Sequence, residues 1–191
     1  MKRIDSKELK RLNAAKRIIR ENKGTYAPQG AQYDEQGFQY IGTIYYFVKV
    51  HPNHVFKKIP AAIGEKMDLP EYAESFFKGM QGDSYATAHV TLKELKEQAA
   101  KLKKSADEST LYNPVLRIKG RFFNPAYVVT CMEMLGADNA DLEFNEEKRY
   151  SPLIVNTEKG VGVIALVRGD GLDANKFKEY VPVSCAARGV K

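Results

Sequence analysis

Residues 124–136, NPAYVVTCMEMLG, constrain this chain more than any other stretch. Asn124 is a good N-cap, and Pro125 fits the first helical position, where its missing N–H costs nothing. Gly136 is a stop. The sequence therefore predicts a helix with both ends fixed. Between Ala126 and Leu135 only Thr130 and Glu133 are polar, so the helix has no solvated face. A helix apolar nearly all round is covered on several sides or keeps a face for a partner. Both readings stay open; in the second, Tyr127, Val128, Cys131 and Met134 make a contact with another subunit or a client protein.

The flanking sequence offers a sheet to cover it. YNPVLRIKGRF reads as a strand before the helix. After it come ADLEF (140–144), SPLIV (151–155) and VGVIALV (161–167), with Lys159–Gly160 in the last connection. Alternate strand positions face opposite sides, so Leu153, Ile154, Val163 and Leu166 supply the core only in part.

The first half repeats that element order without repeating its sequence. Asp5 and Glu8 have capping-box spacing, and a helix runs from about residue 5 or 6 to a stop at Gly24. At about 100° per residue, Leu9, Leu12, Ala15 and Ile19 line one face, while Arg3, Lys7, Lys10, Arg11 and Arg17 gather opposite. Residues 2–5 read as a short strand before it. Residues 25–59 read as strands, dense in Tyr, Phe, Ile and Val around GFQYIGTIYYFVKV, with DEQG (34–37) as a hairpin turn. Residues 60–90 are less regular, with a helix from Asp68 to about Lys78. VTLKELKEQAAKLKKS is a clear helix, capped by Thr91 with Glu94. Residues 105–110 form a polar linker, and 169–191 a C-terminal extension with a short helix near 175–180. The expected fold class is α+β, with helices packed on antiparallel sheets and a helical insertion at about 60–110.

Charge narrows the partners. The whole net charge of +6 lies in residues 1–23, which hold nine basic and three acidic side chains. The remaining residues carry 21 of each sign. A basic helix of this kind points to a polyanion, and Lys7, Lys10, Arg11 and Arg17 are the residues expected to meet duplex DNA through its phosphates. The competing reading is a solvated face. Tyr45, Tyr46 and Phe47 offer rings for base stacking, although strand aromatics are more often core.

Catalytic and metal constellations are weak. His51 and His54 stand three apart beside a proline turn, with no carboxylate set to complete a metal site. Cys131 and His89 have nothing in the sequence that brings them together as a nucleophilic pair. GVGVIALVRGDG lacks the strand–loop–helix order of a nucleotide site. Glu143, Glu146 and Glu147 read as a solvated hairpin edge. The expectation is a protein that is not an enzyme and has no metal and no cofactor. The two cysteines, Cys131 and Cys185, show no metal spacing, which fits a reduced, cytoplasmic setting. No apolar stretch approaches the roughly 18 residues of a membrane helix, and MKRIDSKELK has no signal-type apolar core. With 43% hydrophobic and 28% charged residues, the composition is that of a soluble globular protein.

The stretches RFFNPAYVVTCMEMLG, DLEFN, YSPLIVN and GVGVIALVR together resemble the last part of a domain of the bacterial DNA polymerase sliding clamp, the β-clamp family. Such domains run strand, helix and three strands, with Ser-Pro before the apolar residues of the middle strand and an Arg closing the last. The match is best over 115–168, and MKRIDSKELKRLNAAKRI is similar to the opening of such a domain. The resemblance implies a single clamp-like domain over 1–168 and a non-enzymatic, DNA-associated accessory or scaffold. It also implies a homo-oligomer if a ring forms, since a clamp protomer has three such domains and closure here takes about six copies. The alternative is a protein–protein interaction module that keeps the fold without encircling DNA.

Overall fold

The computed structural model of the chain describes residues 5–21, 28–62, 67–79, 85–105, 116–118, 121–148 and 151–166. The expected strand at 2–5 before Asp5, the linker at 105–110 beyond Ser105 and the extension at 169–191 lie outside them. A seven-stranded antiparallel sheet organises the molecule. Helix α1 (Ser6–Glu21) is followed by the meander β1 (Gln32–Tyr33), β2 (Gln39–Gly42) and β3 (Tyr46–Val50). Helix α2 (Leu69–Gly79), strand β4 (Tyr85–Thr91) and helix α3 (Leu92–Ser105) come next. A two-stranded hairpin, β5 (Leu116–Ile118) with β6 (Arg121–Phe123), leads to α4 (Pro125–Leu135) and the meander β7 (Asn139–Asn145), β8 (Leu153–Thr157) and β9 (Gly160–Ile164). The spatial order is β1-β2-β3-β9-β8-β7-β4. Each half is thus a helix followed by a three-stranded meander, and the last strands of the two meanders pair at the centre, Tyr46 opposite Ile164 and Val50 opposite Gly160.

Local chemistry sets the turns. In DEQG the Asp34 carboxylate accepts from the backbone N–H of Gln36 and of Phe38, closing the β1–β2 hairpin. Asn124 Oδ1 accepts from Ala126 N–H at 2.9 Å to start α4. Gly136 ends it in the left-handed region at φ 67°, where a side chain would be strained and a Cβ would press on Arg11 Cδ at 2.8 Å.

Both faces of the central strands are covered, so alternation along them sorts residues into two cores. Val48, Val50, Leu153, Val155 and Ile164 join the main core beneath α1, α3 and α4. Phe47, Ile154 and Val163 point the other way, onto Leu69 and Ala73 of α2. Leu153, Ile154 and Val163 are buried and Leu166 is half-buried against the main core. The result is a three-layer α+β arrangement, with α1, α3 and α4 above the sheet and α2 below.

Two expectations are corrected here. The stretch read as a helical insertion is part of the fold itself. It supplies β4, paired with β7 from Tyr85–Asn145 to Thr91–Asn139, and α3, which lies on α4. Strand β4 escapes a hydrophobic scan because its core-facing residues are Ala86, Ala88 and Val90, and alanine carries little strand signal. YNPVLRIKGRF, read as one strand, holds two short strands paired with each other.

The apolar helix is covered over most of its surface. Helix α4 packs on α1, on α3 and on β3, β8 and β9. Val128, Cys131 and Met134 are fully buried. Tyr127 is half-buried and stacks on Tyr46, with ring centroids 4.2 Å apart. Val128, Cys131 and Met134, read as members of an exposed contact, are therefore withdrawn from any partner by α1, α3 and the sheet, while Tyr127 stays half-buried at the start of the helix.

Candidate nucleic-acid interface

Helix α1 carries the charge, and the way it is turned decides which charges are available. Its buried positions are Arg11, Leu12, Ala14, Ala15 and Ile18. Leu9, expected in the core, is 45% exposed. Arg11, expected to face a polyanion, is only 2% exposed. Its Nε donates to Met134 O at 2.9 Å, one Nη to the Glu8 carboxylate at 2.6 Å and the other to His54 O at 3.2 Å. Its guanidinium also lies 4.7 Å from the centre of the Phe56 ring. Met134 O is one of the last carbonyls of α4, which the helix itself leaves without a partner. Arg11 caps that helix and is withdrawn from any external ligand.

The remaining basic residues of α1 form one wall of an open groove of about 800 Å³. Lys7, Lys10, Lys16, Arg17 and Arg20 line it from α1, Leu92 and Lys96 from α3, and Glu133, Gly136, Ala137 and Asp138 from the end of α4 and the turn beyond. Lys7, Lys10 and Arg17 were expected at such a surface. Lys16, Arg20 and Lys96 were not. The stripe Lys10, Asn13, Arg17 and Arg20 was present in the sequence at helical three- and four-residue spacing, but it emerges only once the buried side of α1 is centred on Arg11, Ala15 and Ile18.

Six cations thus face two carboxylates. Lys7 pairs with Asp138 at 2.8 Å, an exposed contact. The Lys7 hydrogen bond and charge hold the Asp138 carboxyl below its usual range, and the same bond raises the Lys7 ammonium. Glu133 is more enclosed: one oxygen takes Arg17 Nη2 at 2.9 Å, the other Lys96 Nζ at 2.6 Å. Burial alone would raise its carboxyl, but the hydrogen bonds and charges of Lys96 and Arg17 outweigh that and hold it below the carboxylate range. Among the described residues Lys10, Lys16 and Arg20 have no ion-pair partner.

The other sequence candidates are placed apart. His51 packs on the Phe38 ring at 5.3 Å, and His54 offers its carbonyl to Arg11. Cys131 is buried on the helical side of the sheet, its Sγ 3.9 Å from Phe47 O, and burial pushes its thiol far up. His89 lies on the opposite face of β4, between core-facing Ala88 and Val90, and meets Asp141 at 2.7 Å. The sheet therefore separates Cys131 from His89. Glu143 accepts from Asn156 across β7 and β8, while Glu146 and Glu147 are exposed in the turn. Tyr46 and Phe47 are buried, and of the three adjacent aromatics Tyr45 alone is exposed.

Architecture and groove together define an α+β protein with a basic helical layer on an antiparallel sheet. No family profile matches the chain, and no curated protein matches it. Among solved structures it is similar to DNA polymerase III subunit beta from Borrelia burgdorferi, determined in complex with a natural product. The TM-score is 0.48 at 10% identity, over 86% of this chain and 62% of that one. It is also similar to the DNA polymerase III beta subunit from Thermotoga maritima, with a TM-score of 0.35 at 13% identity, over 69% of this chain and 41% of that one. The chain spans less than two thirds of either protein. No helix among the described residues is long and apolar enough to cross a membrane.

Proposed function

We propose that this chain is a non-enzymatic, cytoplasmic DNA-associated accessory or scaffold protein of the sliding-clamp kind, holding duplex DNA by its phosphates in the groove between α1 and α3. One observation carries the reading: six cations and two carboxylates converge on one groove of the helical layer. Lysine and arginine side chains on a rigid helical surface neutralise phosphates without reading bases, so the binding is independent of sequence and steeply salt-dependent. The helix-plus-meander order of each half supports the clamp-like part of the reading.

The test is fluorescence anisotropy with a labelled duplex of arbitrary sequence, at low and moderate salt. The expected slope of log affinity against log salt is about −0.9 for each phosphate neutralised. Replacing Lys10, Lys16 and Arg20 with Glu leaves the core face of α1 untouched and is expected to abolish retention. No wild-type binding at low salt refutes the reading and leaves a protein-interaction module as its replacement. Light scattering on the same sample reports the oligomer that a ring requires.

A further inference from the structure

Glu133 is the one charged residue of α4. It reaches out of the buried helix between two others, taking the Arg17 guanidinium of α1 on one oxygen and the Lys96 ammonium of α3 on the other. The two cations remain 40% and 49% exposed, on the side that lines the groove. The geometry points to Arg17 and Lys96 as a phosphate clamp joining α1 to α3, with Glu133 as the positioning residue that holds both; this rests on the DNA-binding reading above.

Donor arithmetic leaves room for a phosphate. A guanidinium has five N–H donors and an ammonium three. Glu133 engages Arg17 through one terminal nitrogen and Lys96 through a single contact, so each cation keeps further donors. A phosphate contributes only acceptor oxygens, so it binds beside the Glu133 carboxylate without displacing it. Long basic side chains ordinarily lose rotamer freedom when they grip an anion; here much of that loss has already occurred on folding. Two cations held by one carboxylate also leave a local excess of one positive charge.

Asp138 provides the contrast. It lies in the same groove, but its pair with Lys7 is exposed, with side chains 56% and 73% accessible. Such a pair restrains little. If a carboxylate in this groove acts only by cancelling charge, removing either one strengthens DNA binding and steepens the salt dependence.

The experiment compares wild type, Glu133→Gln and Asp138→Asn for retention of a short DNA duplex over a salt series, with circular dichroism reporting the fold. Asp138→Asn is expected to tighten binding. Glu133→Gln is expected to weaken it about tenfold despite the added net positive charge, because Arg17 and Lys96 lose their common anchor. Arg17→Lys, which keeps the charge but loses the fork, is expected to weaken binding with an unchanged salt slope. It decides the matter if Glu133→Gln does not fold. Tighter or unchanged binding by Glu133→Gln, or unchanged affinity for Arg17→Lys, overturns the clamp while leaving the DNA reading standing. Absence of wild-type binding at low salt overturns both.

Discussion

Replacing Arg11 with Met separates structural charge from functional charge on α1. Methionine keeps an unbranched apolar stem against Phe56 and Gly136 but removes every donor. The largest loss is at Met134 O, in a fully buried residue, where an unpartnered carbonyl costs about 1–3 kcal/mol. The cation over Phe56 adds about 1 kcal/mol, and a positive charge at the C-terminal end of α4 about 0.5 kcal/mol. Glu8 is 44% exposed and His54 half-exposed, so both return to water at little cost. The expected destabilisation is about 3 kcal/mol, which for a chain of this length lowers Tm by about 6–12 °C. Scanning calorimetry measures it, and anisotropy at a temperature where the variant is folded measures DNA affinity, which should stay within about twofold of wild type. A Tm within about 2 °C of wild type, combined with lost DNA binding, refutes the assignment of Arg11 to the core.

Gly162→Ala places a Cβ 2.9 Å from Cys131 Cβ and 3.3 Å from Val155 Cβ, in a contact between β9 and α4 that has no flexible end to give way. Urea unfolding should show a loss of about 1–3 kcal/mol; an unchanged midpoint would contradict the close approach of strand and helix. In a Cys185→Ser background, Cys131 should resist a thiol reagent in the native protein at pH 8 and react on unfolding, since burial keeps its thiol protonated. Rapid native labelling would show that α4 is accessible. Lys96 and Arg17 hold the Glu133 carboxyl below its ordinary value of 4.5 when folded, so the stability it contributes is present above that pH and disappears as pH falls through the lower folded value. The Tm difference between wild type and Glu133→Gln should therefore be constant near neutrality and shrink below pH 4.5. A difference that persists unchanged into strong acid would refute the carboxylate's part in it.

Much of this protein was legible in its sequence. Asn124, Pro125 and Gly136 delimit α4 because capping and the left-handed stop are chemistry of single residues and their nearest neighbours. The three strands after it, the turn at Asp34 and the helix caps at Asp68 and Thr91 are local in the same way. The confinement of the net charge to the N-terminal stretch needs no structure at all. Tertiary structure decided what each surface meets. Whether the apolar face of α4 is shared with a partner or covered by α1 and α3 depends on segments far away in sequence. The fate of Arg11 does too: its residue type says solvent, while Met134 and His54, 123 and 43 positions away, supply the partners that make its burial affordable. Strand β4 exists because β7 offers a full edge to its small residues. The groove is the same kind of property, since Lys96 and Glu133 join the charges of α1 only when three helices are laid side by side. Propensity, capping and turn chemistry act over a few residues and can be read along the chain; burial and charge pairing act across space, where sequence separation carries no weight.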